Sequence, residues 1–303
     1  MNPDMVDEPA RESTTRAVTI GDALMEGQRR LERCGVLRPR RHAELLLETA
    51  LKLDRTDLYL RARETLTPER YIEYQALLEQ REAGEPVQYI AGWAPFYGRR
   101  FLVGEGVFIP RFDTELLVER LLERWTEDCL KDSSEEVLDL CCGCGVVGLT
   151  AAAELPSAHI TLVDDSPTAL EYCARNALML LVNDRVEIIR RDARTDPPLE
   201  WHGRFSFITA NPPYIPAAEV RSLHPDVRRE PPGALTDGGD GLSFYRRWAV
   251  TLPVILKPGG RAFLEVGVGA AESVVDMLSS AFTEVETFRD LNGIERVVEA
   301  KIE

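Results

Sequence analysis

The 303-residue sequence has no apolar run of membrane-spanning length, which excludes a chain built on transmembrane helices. Residues 1–16 are polar and lack the apolar centre of a secretory signal, so a cytoplasmic protein with no membrane association is expected. Positive charge is also short: 36 Lys and Arg stand against 51 Asp and Glu, a formal net charge of -15. A polyanion needs a basic face to neutralise its phosphates, so no direct nucleic-acid partner is expected. The adjacent pairs Arg190 with Arg191 and Arg228 with Arg229 are where a local basic patch would be sought. The four histidines (His42, His159, His202, His224) form no i, i+4 pair. Of the six cysteines (Cys34, Cys129, Cys141, Cys142, Cys144, Cys173), three crowd one short stretch without the second ligand pair of a zinc site, so no metal is expected. With 44% hydrophobic residues the chain is long enough for two cores.

The most informative segment is Asn211-Pro212-Pro213-Tyr214, which follows an apolar run (Phe205, Phe207, Ile208, Ala210) that reads as a buried strand. Two prolines cannot continue a ladder, so the strand stops there. That leaves a carboxamide, a carbonyl without ladder partners and an aromatic ring at the carboxyl end of a strand, where open α/β sheets bind ligands. The trio suits a planar NH2 group. The Asn211 side-chain oxygen and the Pro212 carbonyl each accept one N–H, and Tyr214 packs on the flat face. An amide or aryl NH2 is a poor nucleophile, so catalysis must come from positioning and from a strong electrophile such as the sulfonium methyl of S-adenosylmethionine. Asn-Pro alone would be an ordinary strand-ending turn.

A second site lies upstream. Val137-Leu138-Asp139-Leu140 reads as a strand, Cys141-Cys142-Gly143-Cys144-Gly145 as a small-residue turn open to close approach by a ligand, and 146–153 as a helix start. Gly143, Gly145 and Gly148 also spell G-x-G-x-x-G, and Asp164 closes the next apolar run at about the twenty-residue offset of a ribose-binding acid. A nicotinamide-dependent dehydrogenase is therefore a rival. Against it stands Asp139, which would repel a pyrophosphate but not a zwitterionic amino acid bearing a sulfonium. On the S-adenosylmethionine reading, Asp164 accepts from both ribose hydroxyls, and Asp192, after the third apolar run (Val186, Ile188, Ile189), lies where an adenine amino group is met.

Along the chain, 1–16 is expected to be a disordered N-terminus. Residues 17–84 carry helical spacing (Ala23, Leu24, Leu31; Ala43, Leu46, Leu47, Ala50), with Thr67 as an N-cap and Pro68 at the first helical position, which predicts a helical bundle. Having no chemistry of its own, this domain is expected to recognise the substrate. Residues 85–112 alternate aromatic and apolar positions around glycines and read as a β-hairpin linker. Residues 113–303 begin with an amphipathic helix over 114–125 and then alternate strand and helix, ending with a strand over 261–266 and two more near Val285 and Val297. That pattern predicts an α/β, Rossmann-like, doubly wound sheet. The glycine-rich stretch Asp237 to Gly241 reads either as the substrate-side loop or as a flexible connection.

These motifs together resemble the class I S-adenosylmethionine-dependent methyltransferases, and within them the release-factor glutamine methyltransferases. The resemblance runs from about Asp22 to the end through Pro86-Val87-Gln88-Tyr89-Ile90-x-Gly92, Ile109-Pro110-Arg111-x-Asp113-Thr114-Glu115, the turn at 139–145, Asn211 to Tyr214, Asp237-Gly238-Gly239-Asp240-Gly241-Leu242, and Glu295-Arg296. The segment from Arg111 to Glu115 discriminates best. The resemblance implies a seven-stranded sheet, peptide-chain release factors as protein substrate, and methylation of the glutamine side-chain nitrogen in their Gly-Gly-Gln tripeptide. It implies Asn211, Pro212, Pro213 and Tyr214 at the substrate, with Asn211, Pro212 and Tyr214 catalytic. The implied cofactor ligands are Asp139, Cys141, Cys142, Gly143, Cys144, Gly145, Asp164, Asp192, Ala193 and Asn211. An adenine-N6 nucleic-acid methyltransferase also fits Asn-Pro-Pro-Tyr and is the alternative from the same chemistry; a non-catalytic binding module is the third. Two positions depart from the family, which commonly has Gly at 141 and Pro at 112. A cysteine at the first turn position favours negative φ, so a slightly altered loop is expected there.

Overall fold

The computed structural model describes residues 17–128 and 134–303. The N-terminal segment 1–16, expected to be disordered, and Cys129 lie outside the described residues. The chain divides into two compact units, one ending at Ile90 and the other spanning Ala91–Glu303.

The first unit is helical: α1 (Ile20–Arg33), α2 (Pro39–Leu51), α3 (Arg55–Leu60) and α4 (Pro68–Glu82). Thr19 starts α1 with a capping box, its hydroxyl accepting from the Asp22 amide at 3.1 Å while the Asp22 carboxylate accepts from the Thr19 amide at 3.3 Å. Thr67 caps α4 with Pro68 in its first turn, as its sequence signature requires. The apolar stripes meet in a core of Leu24, Leu31, Leu46, Leu47, Leu58, Tyr74 and Leu78. Gly27 permits the close approach of α1 to α4, because a Cβ there would sit 1.9 Å from the Tyr74 hydroxyl.

A short helix, α5 (Val87–Ala91), crosses the division, and the second unit opens with the hairpin β1 (Trp93–Phe96) and β2 (Arg99–Leu102). The hairpin is shorter than the 85–112 stretch expected for it. Carbonyl acceptance by Pro86 from the Tyr89 and Ile90 amides starts a helical turn instead, so the aromatic and apolar alternation begins only at Trp93. Tyr97 and Gly98 both have positive φ (47° and 70°), the two-residue turn that matches strand twist.

The remaining elements are α6 (Glu115–Glu127), β3 (Glu136–Leu140), α7 (Val146–Glu154), β4 (His159–Asp164), α8 (Pro167–Met179), β5 (Val186–Arg190), β6 (Phe205–Ala210), α9 (Pro232–Leu235), α10 (Ser243–Ile255), β7 (Leu256–Glu265), α11 (Ala271–Leu278), β8 (Glu284–Arg289) and β9 (Glu295–Lys301). Seven strands form one sheet in the order β5-β4-β3-β6-β7-β9-β8, parallel except where β9 runs against β7 and β8. Every residue of β6 is buried, as a parallel strand covered on both faces must be. Odd positions (Val137, Phe207, Phe263) face α6, where the Trp125 and Phe207 rings lie 5.8 Å apart. Even positions (Leu138, Ile208, Ala262) join Tyr245, Trp248 and Leu252 of α10. Strands are added outward from β3 to β5, and then the chain returns to place β6 on the other side of β3. That reversal between β3 and β6 is a topological switch point. No described helix is long and apolar enough to cross a membrane.

Candidate active site

Register decides what meets at the switch point. Leu140 pairs with Ala210 across β3 and β6, Leu140 with Val163 across β3 and β4, and Asp164 with Arg190 across β4 and β5. The residues that follow therefore emerge side by side: Cys141, Asn211, Asp164 and, one loop further, Asp192. They border a cavity of about 580 Å³ within the second unit. Of the residues proposed from sequence, Asn211 to Tyr214, Asp139, Cys141 to Cys144, Asp164, Asp192 and Ala193 line it, and Gly145 does not. Gly145 instead has φ +86° at the start of α7, and a Cβ there would meet the Cys173 sulfur at 2.7 Å. Its part is to let the turn close.

Two aspartates brace that turn from behind. Asp139 is 1% exposed and accepts from the Thr209 hydroxyl at 2.8 Å and the Gly148 amide at 2.9 Å. Burial pushes its carboxyl up to about 7, with those two donors pulling the other way. Asp164 accepts from the Gly143 amide at 2.8 Å and the Ser166 amide at 2.9 Å; burial raises its carboxyl too. Asp192 is turned toward Arg194, which donates to it from Nε at 3.0 Å and holds its carboxyl below the usual range. The Ala193 carbonyl accepts from the Trp248 indole at 3.0 Å, which fixes that wall.

Cys141 corrects one expectation. Its φ is +57°, so the cysteine occupies the left-handed conformation that glycine supplies elsewhere, at a cost of about 1–2 kcal/mol. The strain of that φ is carried in the backbone of the loop. The Cys142 amide donates to the Val163 carbonyl at 3.0 Å and the Gly145 amide to the Cys142 carbonyl at 2.8 Å, which together hold the turn shut. Burial pushes the thiols of Cys141, Cys142 and Cys144 upward, leaving little thiolate to oxidise.

Across the cavity, the Asn211 amide Nδ2 donates to the Thr114 hydroxyl at 3.1 Å. Its Oδ1 and the Pro212 carbonyl accept no hydrogen bond among the described residues. The Tyr214 hydroxyl donates to Glu265 at 3.0 Å, and burial beside that acid keeps it a phenol. Tyr214 is also gripped through its backbone: a Cβ on Gly241, whose φ is +81°, would lie 2.2 Å from the Tyr214 carbonyl oxygen. Asp237 holds the glycine loop in that place, accepting from the Gly239, Gly241 and Ser243 amides at 2.8, 3.0 and 3.0 Å. Burial is the largest single effect and raises its carboxyl, but the donors together outweigh it and hold the group down at about 2. The stretch is thus a braced loop. Gly241→Ala is expected to cost about 1–3 kcal/mol in urea unfolding through overpacking, and to lower turnover because Tyr214 must move. A midpoint and rate equal to wild type would show that the contact relaxes freely.

Sequence reasoning gives no role to several residues at the wall or behind it: Arg111 and Thr114 line the cavity, and Glu230 and Glu265 do not. Arg111 pairs with Glu230, which also accepts from the Ile109 amide at 2.9 Å, and the guanidinium lies 4.9 Å from the Phe108 ring centroid. Glu230 has no local signature, being 119 positions from Arg111. Thr114 is visible only as part of a motif. Glu265, by contrast, closes a buried apolar strand just as Asp164 does, so the signal for it is present.

The cavity wall offers carboxylates and small residues at one end and amide acceptors at the other. Residues 22–92 match the PrmC N-terminal domain and 100–242 the methyltransferase small domain. The release factor glutamine methyltransferase of Geobacter sulfurreducens is 39% identical over 270 residues, 88% of this chain and 91% of that one. Those of Chlorobaculum tepidum (38% over 260 residues, 85% and 88%) and Bacillus subtilis (36% over 287 residues, 94% and 98%) are similar along nearly their whole lengths. With relatives this similar aligned across both of its units, the chain belongs to the release factor glutamine methyltransferase family.

Proposed function

We propose that the protein methylates the side-chain amide nitrogen of the glutamine in the Gly-Gly-Gln motif of peptide-chain release factors, using S-adenosylmethionine. The observation that carries this reading is the pair of unengaged acceptors, Asn211 Oδ1 and the Pro212 carbonyl, on the wall beside the 141–145 turn. Two acceptors and a ring fix the plane of a carboxamide NH2. Because Asn211 Nδ2 is tied to Thr114, its oxygen is the end left for substrate.

The cofactor end is suited to a cationic, hydroxyl-bearing ligand. A pyrophosphate at this turn would need amides from the first turn of α7, but the Gly148 amide is already given to Asp139. Asp164 retains lone pairs for a ribose diol, and the absence of any atom within 4 Å of a Cβ built on Gly143 leaves room beside it. Asp192 and Ala193 border the space for a base. When bound, the cofactor supplies a methyl group made electrophilic by its sulfonium. The chain's residues supply position: Asn211 and Pro212 hold the NH2, Tyr214 packs on it, and the apolar wall keeps water away. No general base is required beforehand, since the amide N–H becomes acidic only after the nitrogen turns cationic. Its proton then leaves to water, directly or by way of Asn211.

The helical unit is assigned recognition of the folded release factor. The test is transfer from labelled S-adenosylmethionine to intact factor, to a Gly-Gly-Gln peptide and to an adenine-containing duplex, using the full chain and residues 91–303. The full chain is expected to label intact factor and the peptide only poorly, because remote binding energy positions the reacting amide. The shortened chain is expected to bind cofactor and lose activity on intact factor. Preferential labelling of the duplex would replace this reading with the adenine one. Undiminished activity of residues 91–303 would remove the recognition role alone.

A further inference from the structure

Glu265 ends β7 directly after the pairing of Ala210 with Leu264, which sets it beside Asn211 at the same rim of the sheet. It is 1% exposed, yet it forms no ion pair among the described residues. Its Oε1 accepts from the Tyr214 hydroxyl at 3.0 Å, while Oε2 is buried without a hydrogen-bond partner. Such a carboxylate carries a heavy desolvation cost, so its retention calls for a reason. The Thr114 hydroxyl is near enough to favour the ionised form of this carboxyl, although no hydrogen bond joins the two in the structure and Oε2 is left open to receive one. Thr114 Oγ1 also accepts from Asn211 Nδ2 at 3.1 Å.

We infer that Glu265 is a positioning residue: being an acceptor only, its carboxylate sets the direction of the hydrogen bonds through Thr114 and Tyr214 and so keeps the oxygen end of the Asn211 carboxamide turned to the cavity. This rests on the reading of Asn211 as acceptor for the substrate amide. A hydroxyl has one proton. Given to Glu265, it leaves Thr114 Oγ1 able only to accept, and the partner it accepts from is the Asn211 NH2. A protonated Glu265 donates to Thr114 instead. The Thr114 proton is then free to meet Asn211 Oδ1, and the carboxamide can turn its NH2 toward a substrate that also presents an NH2.

Burial pushes the Glu265 carboxyl up to about 7, with the Thr114 and Tyr214 hydroxyls and Arg296 lowering it and Asp113 raising it. Arg296 is engaged by Asp113 at 3.2 Å and Asp290 at 3.3 Å, and the Tyr245 hydroxyl from α10 donates to the Glu265 main-chain carbonyl at 2.6 Å. Both tyrosines titrate far above neutrality. Turnover is therefore lost as pH falls through the neutral range, on the side where Glu265 gains its proton.

The experiment measures kcat and KM on intact release factor across that range for wild type, Glu265→Gln, Thr114→Val and Thr114→Ser, with calorimetric cofactor binding for each. A glutamine at 265 offers a donor as well as an acceptor and permits both directions. The expected result is a kcat loss of up to about 100-fold for Glu265→Gln and Thr114→Val with unchanged cofactor affinity, recovery in Thr114→Ser, and no acidic limb in Glu265→Gln. Infrared difference spectra should show a carboxylic-acid band titrating near neutrality in wild type, of which Glu265→Gln loses the Glu265 component and keeps that of Asp139. Wild-type kcat in Thr114→Val, or an acidic limb that persists in Glu265→Gln and so belongs to another group such as Asp139, overturns the inference. If Glu265→Gln fails to fold, the Thr114 pair decides. Failure of wild type to methylate the factor would instead count against the proposed function, while the infrared titration still reports on Glu265.

Discussion

Asn211→Ala is expected to lower turnover on release factor by a factor on the order of 10² or more while weakening S-adenosylmethionine affinity far less. The substitution removes one of the two acceptors proposed for the substrate NH2 and leaves the cofactor turn untouched, since that turn is held by Asp164, Val163 and Cys142. It strands little, because the freed Thr114 hydroxyl still has Glu265 within reach. Thermal stability should therefore stay close to wild type, which separates lost positioning from a folding defect. Single-turnover methyl transfer at saturating cofactor is the measurement, and a wild-type rate would remove Asn211 from the reaction.

Asp164→Ala should act on the opposite quantity. Each charge-assisted hydrogen bond to a ribose hydroxyl contributes roughly 1.5–3 kcal/mol, so cofactor binding is expected to weaken by about one to two factors of ten or more. The same carboxylate also holds the Gly143 and Ser166 amides, so its loss loosens the turn itself. Burial raises the Asp164 carboxyl, and the ionised form is the one that accepts. Binding should accordingly decline as pH falls through that raised value, at a higher pH than for an ordinary aspartate. Calorimetric titration across the acidic range tests both statements, and unchanged affinity in the alanine variant would take Asp164 out of the site.

What could be read from sequence follows the range of the physics involved. The apolar runs closed by Asp139, Asp164 and the two prolines give strands and the groups at their ends, because burial and ladder termination are local. The Thr67-Pro68 start and the small-residue turn are local too. Register needs only the sheet order, and it places Asn211 beside Cys141. The extent of the hairpin is misread because Pro86 can open a helical turn as easily as a strand. The backbone of Cys141 is misread because the surrounding hydrogen bonds outweigh the preference of one side chain. The Thr114 to Asn211 contact spans 97 positions and the Tyr214 to Glu265 contact 51, and no local pattern announces either.

The bond from Thr209 to Asp139 joins residues 70 apart, because β4 and β5, which lie between them in the chain, sit on the far side of β3. Closing a loop of that length costs about 4 kcal/mol of chain entropy on logarithmic scaling, before any contact repays it. The cavity therefore depends on long-range pairing, which slows folding, and a ligand that binds only the closed arrangement adds its binding free energy to the native state. A ligand held there is then also a tie across the centre of the sheet, and its withdrawal should lower the temperature at which the second unit unfolds.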